Sequence, residues 1–269
     1  MHALSLAFDT QRLAEKSEEL SSDRQLFKRG KWLVDDLNIS EGENVLDIGC
    51  GTGLLAEYVA DIVGSDGSVT GIDPLPLRID IARRKVRANL DFRVGNAYDL
   101  SVFPENHFDT VYLNAVFHWL GEKEQPLQQI HRVLKPGGHL GLNSGSKDHP
   151  FHLEKIRNRV LSKPPYNAFS ESLSRFPHLV SVPELVWLLD RNQFSINKVE
   201  VQNNIVTLAN PEDAINFSHS SSFANFIGHL PEALRDSAMD EIKHELERLR
   251  TAEGIRLEGH RIVAIAAKK

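Results

Sequence analysis

The stretch Asp47-Ile48-Gly49-Cys50-Gly51-Thr52-Gly53 sets a carboxylate beside three alternating glycines at the end of a short apolar run. Glycine has no Cβ, so such a loop can turn tightly and bring its backbone close to a ligand. The third glycine opens a segment of helical spacing, whose first amides favour anionic groups. Asp73 ends a second apolar run and lies 20 residues after Gly53. A dinucleotide site reads GxGxxG with an acid about 20 positions on. Here the glycines read GxGxG, and the position of Asp73 suits either kind of ligand. Asp47 separates them. A carboxylate repels a pyrophosphate and attracts the ammonium of a methionine moiety.

Positioning these residues requires a sheet whose strands end at one edge. From residue 43 to 143 the pattern alternates apolar runs and helical spacing: strands over 45–48, 68–72, 92–94, 109–114 and 138–142, helices over 54–63, 75–88 and 125–134. Strands alternating with helices imply parallel pairing and a doubly wound α/β sheet, with ligands beyond the carboxyl ends of its strands. Two helices are expected before it, over 10–20 and after Ser21-Ser22-Asp23. After it come a helix from Val182-Pro183-Glu184, a long strand over 196–208, a helix capped at Asn210-Pro211, helical segments to about 252 and a last strand over 261–267. The expectation is a mostly parallel seven-stranded sheet with N-terminal helices and a helical cap. It forms one domain over 1–269, with a core of 40–146, 182–210 and 259–269 and cap segments 1–38, 147–181 and 211–258.

The chain resembles the class I methyltransferases, specifically the small-molecule branch with the ubiquinone and menaquinone C-methyltransferases. The matching residues are Val45 to Gly53, Gly71-Ile72-Asp73, Gly95-Asn96-Ala97 and Arg132-Val133-Leu134-Lys135-Pro136-Gly137-Gly138. They fall within about residues 30–145. The resemblance implies a Rossmann-like fold, S-adenosylmethionine as cofactor and methyl transfer to a small-molecule acceptor. It puts Asp47 near the methionine amino group, with Gly49, Gly51 and Gly53 wrapping the same moiety. Asp73 would accept from both ribose hydroxyls, Leu75 would pack on adenine, and Ala97 would offer its backbone to it. Asn96 departs from the acid common at its position, so an amide oxygen would meet the adenine amino group. Asn114 would face the reacting centre.

Methyl transfer needs chiefly an acceptor held in line at near-attack distance, and a general base only where the acceptor loses a proton. His118, just beyond the fourth strand, is the candidate base; a histidine of the pocket wall is the plainer reading. His149, His152 and His219 fall in cap segments. Phe117, Trp119, Tyr166, Phe169, Phe217, Phe223 and Phe226 could line an acceptor pocket or pack the cap, and Ser218, Ser220, Ser221 and Ser222 could serve pocket or linker. Arg29 and Lys31 could reach a cofactor carboxylate, or form a solvated helix face.

Composition narrows the classes further. The net charge of -6 argues against a general nucleic-acid partner, which needs clustered cations. No apolar run approaches the roughly 20 residues of a membrane helix, and the charged start reads as cytoplasmic rather than as a secretory signal. The one cysteine, Cys50, excludes an intrachain disulfide or a cysteine-rich zinc site, and no metal is expected. Two alternatives stay open: a non-catalytic module that binds the cofactor, and a dinucleotide-dependent oxidoreductase. Oligomeric state is not readable.

Overall fold

The computed structural model describes residues 21–169, 177–221, 227 and 230–269, without the side chains of 21–26 and 218–221. The helix expected over 10–20 lies outside them, as do Phe223, Phe226 and Ser222 and the side chains of Ser218, His219, Ser220 and Ser221. Helix α1 (Ser21–Leu37) leads into β1 (Asn44–Ile48), α2 (Leu54–Val63), β2 (Ser68–Asp73), α3 (Pro76–Ala82) and β3 (Leu90–Val94). Next come β4 (Phe108–Asn114), a 3-10 turn (Phe117–Trp119), α4 (Glu124–Val133), β5 (Leu134–Gly145) and α5 (His152–Leu161). The chain continues through α6 (Val182–Arg191), β6 (Phe194–Leu208), α7 (Pro211–Ser221), α8 (Glu232–Glu247), β7 (Arg250–Thr251) and β8 (Gly254–Lys268).

The strands lie in the order β3-β2-β1-β4-β5-β8-β6, with the two-residue β7 paired to β8. The β1–β2, β1–β4, β2–β3 and β4–β5 pairs are parallel, so these strands end at one edge; β8 runs antiparallel to both its neighbours. This is the doubly wound, mostly parallel sheet expected from the alternation. Helix α6 starts at a complete capping box between Ser181 and Glu184, with Pro183 in its first turn.

Three boundaries differ from expectation. The helix after Asp73 ends at Ala82 and passes into a 3-10 turn, because β3 begins at Leu90 and the chain must reverse at Arg87 to reach it. Strand β5 begins at Leu134, so Lys135-Pro136-Gly137-Gly138 lies within it, at an irregularity in the β4–β5 register. Strand β8 begins at Gly254, so 254–258, expected in a cap segment, are strand. The polar Arg256, Glu258 and His260 hide that strand, because a ribbon with one buried face alternates instead of reading as an apolar run.

Side chains divide between two faces. Leu46, Ile48, Val111, Leu113, Leu140, Leu142, Ile262 and Ala264 meet α4 and α6. Val45, Val69, Tyr112, Val263 and Ile265 meet α1 and α2 on the other face. Strand β5 pairs with β8 only as far as Gly145↔Arg261, whereas β6 and β8 stay paired to Leu208↔Ile255. Their outer halves therefore project past the carboxyl edge as a two-stranded ribbon. Ile255 and Leu257 on that ribbon share a third apolar cluster with α5, α7 and α8. Helix α1 packs on the sheet, on α2 and on α7. Among the described residues no helix is long and apolar enough to cross a membrane.

Leu257 is fully buried where the ribbon meets these helices. Leu257→Ala should cost about 2–5 kcal/mol in urea unfolding, the usual range for such a cavity. A loss under about 1 kcal/mol would mean that the ribbon does not anchor the helices.

Candidate functional site

The ends of β1, β2 and β4 bring Asp47, Asp73 and Asn114 to one edge, and the 49–53 loop crosses in front of them. The loop is tied to β2 first, since the Gly49 and Cys50 amides both donate to the Ile72 carbonyl, at 2.7 and 3.0 Å. Asp73 completes the tie. One carboxylate oxygen accepts the Gly51 amide at 3.1 Å and the other accepts the Leu75 amide at 2.9 Å. Arg78 of α3 approaches it to 3.9 Å. Burial raises the Asp73 pKa, while Arg78 and the two amides oppose that rise. Asp73 thus holds the loop and the start of α3 together, a role its spacing did not reveal. Each oxygen keeps a second acceptor site.

The three glycines divide by what faces them. All have positive φ: 77° at Gly49, 57° at Gly51 and 85° at Gly53. A Cβ on Gly49 would lie 2.3 Å from Val116 Cγ2, and one on Gly53 2.6 Å from the Phe92 ring. These two are required by protein packing. At Gly51 the nearest atom is the end of Arg78, 3.8 Å away, so that position fronts open space.

Behind the loop Asp47 is 2% exposed, and its Oδ2 has no hydrogen-bond partner. Tyr112 stands opposite it in the β1–β4 register. The Tyr112 hydroxyl lies near enough to favour the carboxylate, yet the geometry is not that of a hydrogen bond, and that hydroxyl is equally unpartnered. Burial foremost raises Asp47 to about 7, with Tyr112 lowering it and the Asp73 charge adding to the rise. A buried, unmet carboxylate oxygen is a costly feature for a protein to keep without a use.

Asn114 accepts from Asn143 Nδ2 at 3.2 Å, and the next residue, Ala115, has φ 58°, a strained value for a side chain with Cβ. Gly30 of α1 closes over this corner, since a Cβ there would come within 2.6 Å of Leu55 and 2.9 Å of Asn114. Leu75 caps α3 and is half-buried, and Ala97 is buried. Asn96 is exposed, and its amide oxygen already accepts the Tyr98 amide at 2.9 Å.

His118 follows on the 3-10 turn. Its Nδ1 accepts the Gly145 amide at 3.3 Å and lies 3.4 Å from Ser144 Oγ, which leaves the proton on Nε2. Burial first, and then the Lys123 charge, push its pKa down to about 3. Lys123 is buried beneath the turn, donates to the Phe117 and Leu120 carbonyls and sits 4.7 Å over the Phe117 ring. A general base needs a free lone pair and proton affinity; this environment supplies a neutral imidazole with one N–H to donate.

Several other candidates lie elsewhere. Phe117 belongs to the sheet core, and Tyr166 is buried among the cap helices with its hydroxyl on Ser237 and Glu241. Phe217 packs near Phe151. His152 Nδ1 accepts the Glu258 amide, and the His149 ring lies 4.2 Å from that of His260, tilted by 46°. Lys31 lies over the Tyr58 ring. Lys135 is at the opposite edge, where it binds both oxygens of Asp109. Gly138 relieves crowding there, since a Cβ on it would meet the Asp109 carbonyl at 2.9 Å, whereas Gly137 faces open space with φ 74°.

Residues 46–142 match the family described as methyltransferase domain. The glycine loop, Asp47 and Asp73 all lie within the matched residues. It is 33% identical over 133 residues to a demethylmenaquinone methyltransferase of Symbiobacterium thermophilum, covering 45% of this chain and 53% of that protein. It is 36% identical over 117 residues to the same-named protein of Listeria welshimeri, covering 41% and 49%. The chain thus spans about half the length of the curated relatives it matches. In fold it is similar to the YcgJ protein of Bacillus subtilis, with TM-score 0.61 and 16% identity over 89% of this chain and 97% of that one. It is also similar to geranyl diphosphate C-methyltransferase of Streptomyces coelicolor, solved with S-adenosyl-L-homocysteine, with TM-score 0.53 and 14% identity over 90% and 76%.

Gly49 and Gly51 should separate in experiment. Gly49→Ala should lose about 1–3 kcal/mol or more, from overpacking against Val116 added to the left-handed strain. Gly51→Ala should lose only the strain, about 1–2 kcal/mol. Equal losses in urea denaturation would contradict the assignment of open space to Gly51.

Proposed function

We propose that this chain transfers a methyl group from S-adenosylmethionine to a small-molecule acceptor, in a pocket between the carboxyl edge of the sheet and the cap segments. The observation that carries the reading is the unmet Asp47 oxygen behind the open front of Gly51. An ammonium is the group whose charge repays that buried carboxylate. A dinucleotide would set its pyrophosphate at the same loop and raise the cost, so the oxidoreductase reading is disfavoured. The fold alone does not decide the chemistry, since a [4+2]-cyclase, SpnF, shares it at 20% identity with TM-score 0.56.

When bound, S-adenosylmethionine supplies a methyl carbon made electrophilic by its sulfonium. In this reading Asp47 holds the amino group and the Gly49–Gly53 backbone wraps the methionine moiety. Asp73 uses its remaining acceptor sites for the ribose hydroxyls. Leu75 and the Ala97 backbone flank adenine, Asn96 borders it, and Asn114 orients the reacting end. His118 donates from Nε2 to the acceptor and positions it for in-line displacement, in place of the base role its sequence position suggests.

Two outcomes follow. Asp47 must be ionised to hold the ammonium and has a pKa of about 7 in the free protein. Affinity for S-adenosylhomocysteine should therefore rise with pH through about 7 and level off above. Below, it should fall towards about tenfold per pH unit, and Asp47→Asn should remove the dependence. Calorimetry from pH 5.5 to 8.5 checks this, and pH-independent wild-type binding would refute it.

Second, labelled cofactor should give methylated product with some member of a panel of small acids, phenols and amines. With that acceptor, His118→Ala should lower turnover about 10-fold to 100-fold and leave S-adenosylhomocysteine affinity within a few-fold. An inflection near pH 6.5 that His118→Ala removes would restore the base. Tight binding without product from any acceptor would favour a non-catalytic binding module.

A further inference from the structure

Arg261 stands where β8 leaves the sheet for the ribbon. It pairs with Gly145 on one side and Gln202 on the other, and it shares its face with Val263, the face that α1 covers. The residue is 5% exposed. Its Nη2 donates to Gln202 Oε1, but Nε and Nη1 are buried without partners. The guanidinium lies 5.1 Å from the centre of the Trp32 ring on α1. Arg29, on the same helix, is close enough for the two cations to repel, and burial together with Arg261 brings its pKa down to about 10. The acid that does attract Arg261, Glu200, is exposed and engaged by Lys198 at 2.9 Å.

A buried guanidinium with two donors unmet, as at Arg261, costs stability unless an anion arrives. A planar guanidinium fork matches a carboxylate with two parallel hydrogen bonds. The location matters as much as the charge. Asn114 pairs with Asn143, and Gly145, one same-face position further along β5, pairs with Arg261. Arg261 is therefore two strand spacings, about 10 Å, to the side of the corner assigned to the reacting centre.

We propose that Arg261 recognises a carboxylate on the methyl acceptor. The acceptor is then a small acid whose carboxylate lies several bonds from the atom that receives the methyl group. Trp32 is 50% exposed, so its ring can swing off the guanidinium and let the carboxylate in. The proposal rests on the methyl-transfer reading above and adds the class of acceptor to it.

The test uses the full chain saturated with S-adenosylhomocysteine. Benzoate, adipate and citrate are titrated beside benzamide and adipamide, by calorimetry and tryptophan fluorescence. At least one acid should bind about tenfold or more tighter than its uncharged counterpart, the effect of a charged hydrogen-bonded pair. Arg261→Met should abolish that preference, Arg261→Lys should keep part of it, and S-adenosylhomocysteine affinity should stay within about twofold in both. Equal or absent binding of acids and amides by the wild type would overturn the proposal without any variant. So would a tenfold loss of S-adenosylhomocysteine affinity in Arg261→Met with 5′-methylthioadenosine binding unchanged, because the guanidinium would then serve the cofactor's own carboxylate. Wild-type protein that binds no S-adenosylhomocysteine would overturn the methyl-transfer reading itself, a result distinct from either.

Discussion

The two hydrogen bonds that Asp73 accepts, from Gly51 and from Leu75, join three pieces of chain that otherwise meet only at their ends. A carboxylate that accepts amides in a buried setting forms charge-assisted bonds, stronger than neutral ones. Arg78 offsets part of the cost of burying that charge. With the loop pinned to β2, Gly49 can pack on Val116 and Gly53 on Phe92, and Gly51 is left facing outward. The open front of the site is thus a consequence of how tightly its sides are closed.

The same corner holds several unfavourable features together. Asp47 has an unmet oxygen, Tyr112 an unmet hydroxyl, and Ala115 a positive φ. Many other polar groups are met: Lys135 meets Asp109, Arg132 meets the carbonyls of Leu100 and Phe103, and Ser181 and Glu184 close a capping box, while His131, His139, Asn204 and Arg261 keep buried atoms without partners. Strain and unmet polar groups persist where surrounding packing over-determines them, and they gather at functional sites.

The ribbon of β6 and β8 gives the molecule its second level. It extends sheet pairing beyond the carboxyl edge and carries apolar residues on the face that α1 also covers. The cap helices therefore gather over the edge where the parallel strands end. Arg261 sits at the base of that extension, the last β8 residue still paired with β5.

Local pattern was enough for much of this. Short runs closed by glycine or Asp-Pro marked β1, β2 and β3, and a continuous apolar run marked β4, because strands buried on both faces read as continuous apolar stretches. The carboxylate and glycines of 47–53 were visible because a tight loop near a ligand admits few residue types. What spacing could not reveal depends on partners remote in sequence. Whether Gly51 or Gly49 faces open space is decided by Val116, some 65 positions away from either. The ring nitrogen of His118 that keeps the proton is decided by the Gly145 amide. Arg261 passed for an ordinary polar start to a strand, since its charge gains meaning only from Arg29 and Trp32 on the first helix. The sequence by itself determined the alternation of strands and helices and the chemistry of the loop, because both follow from neighbours in the chain. The tertiary structure alone decided which polar groups are left unmet, because that depends on every group that folds against them.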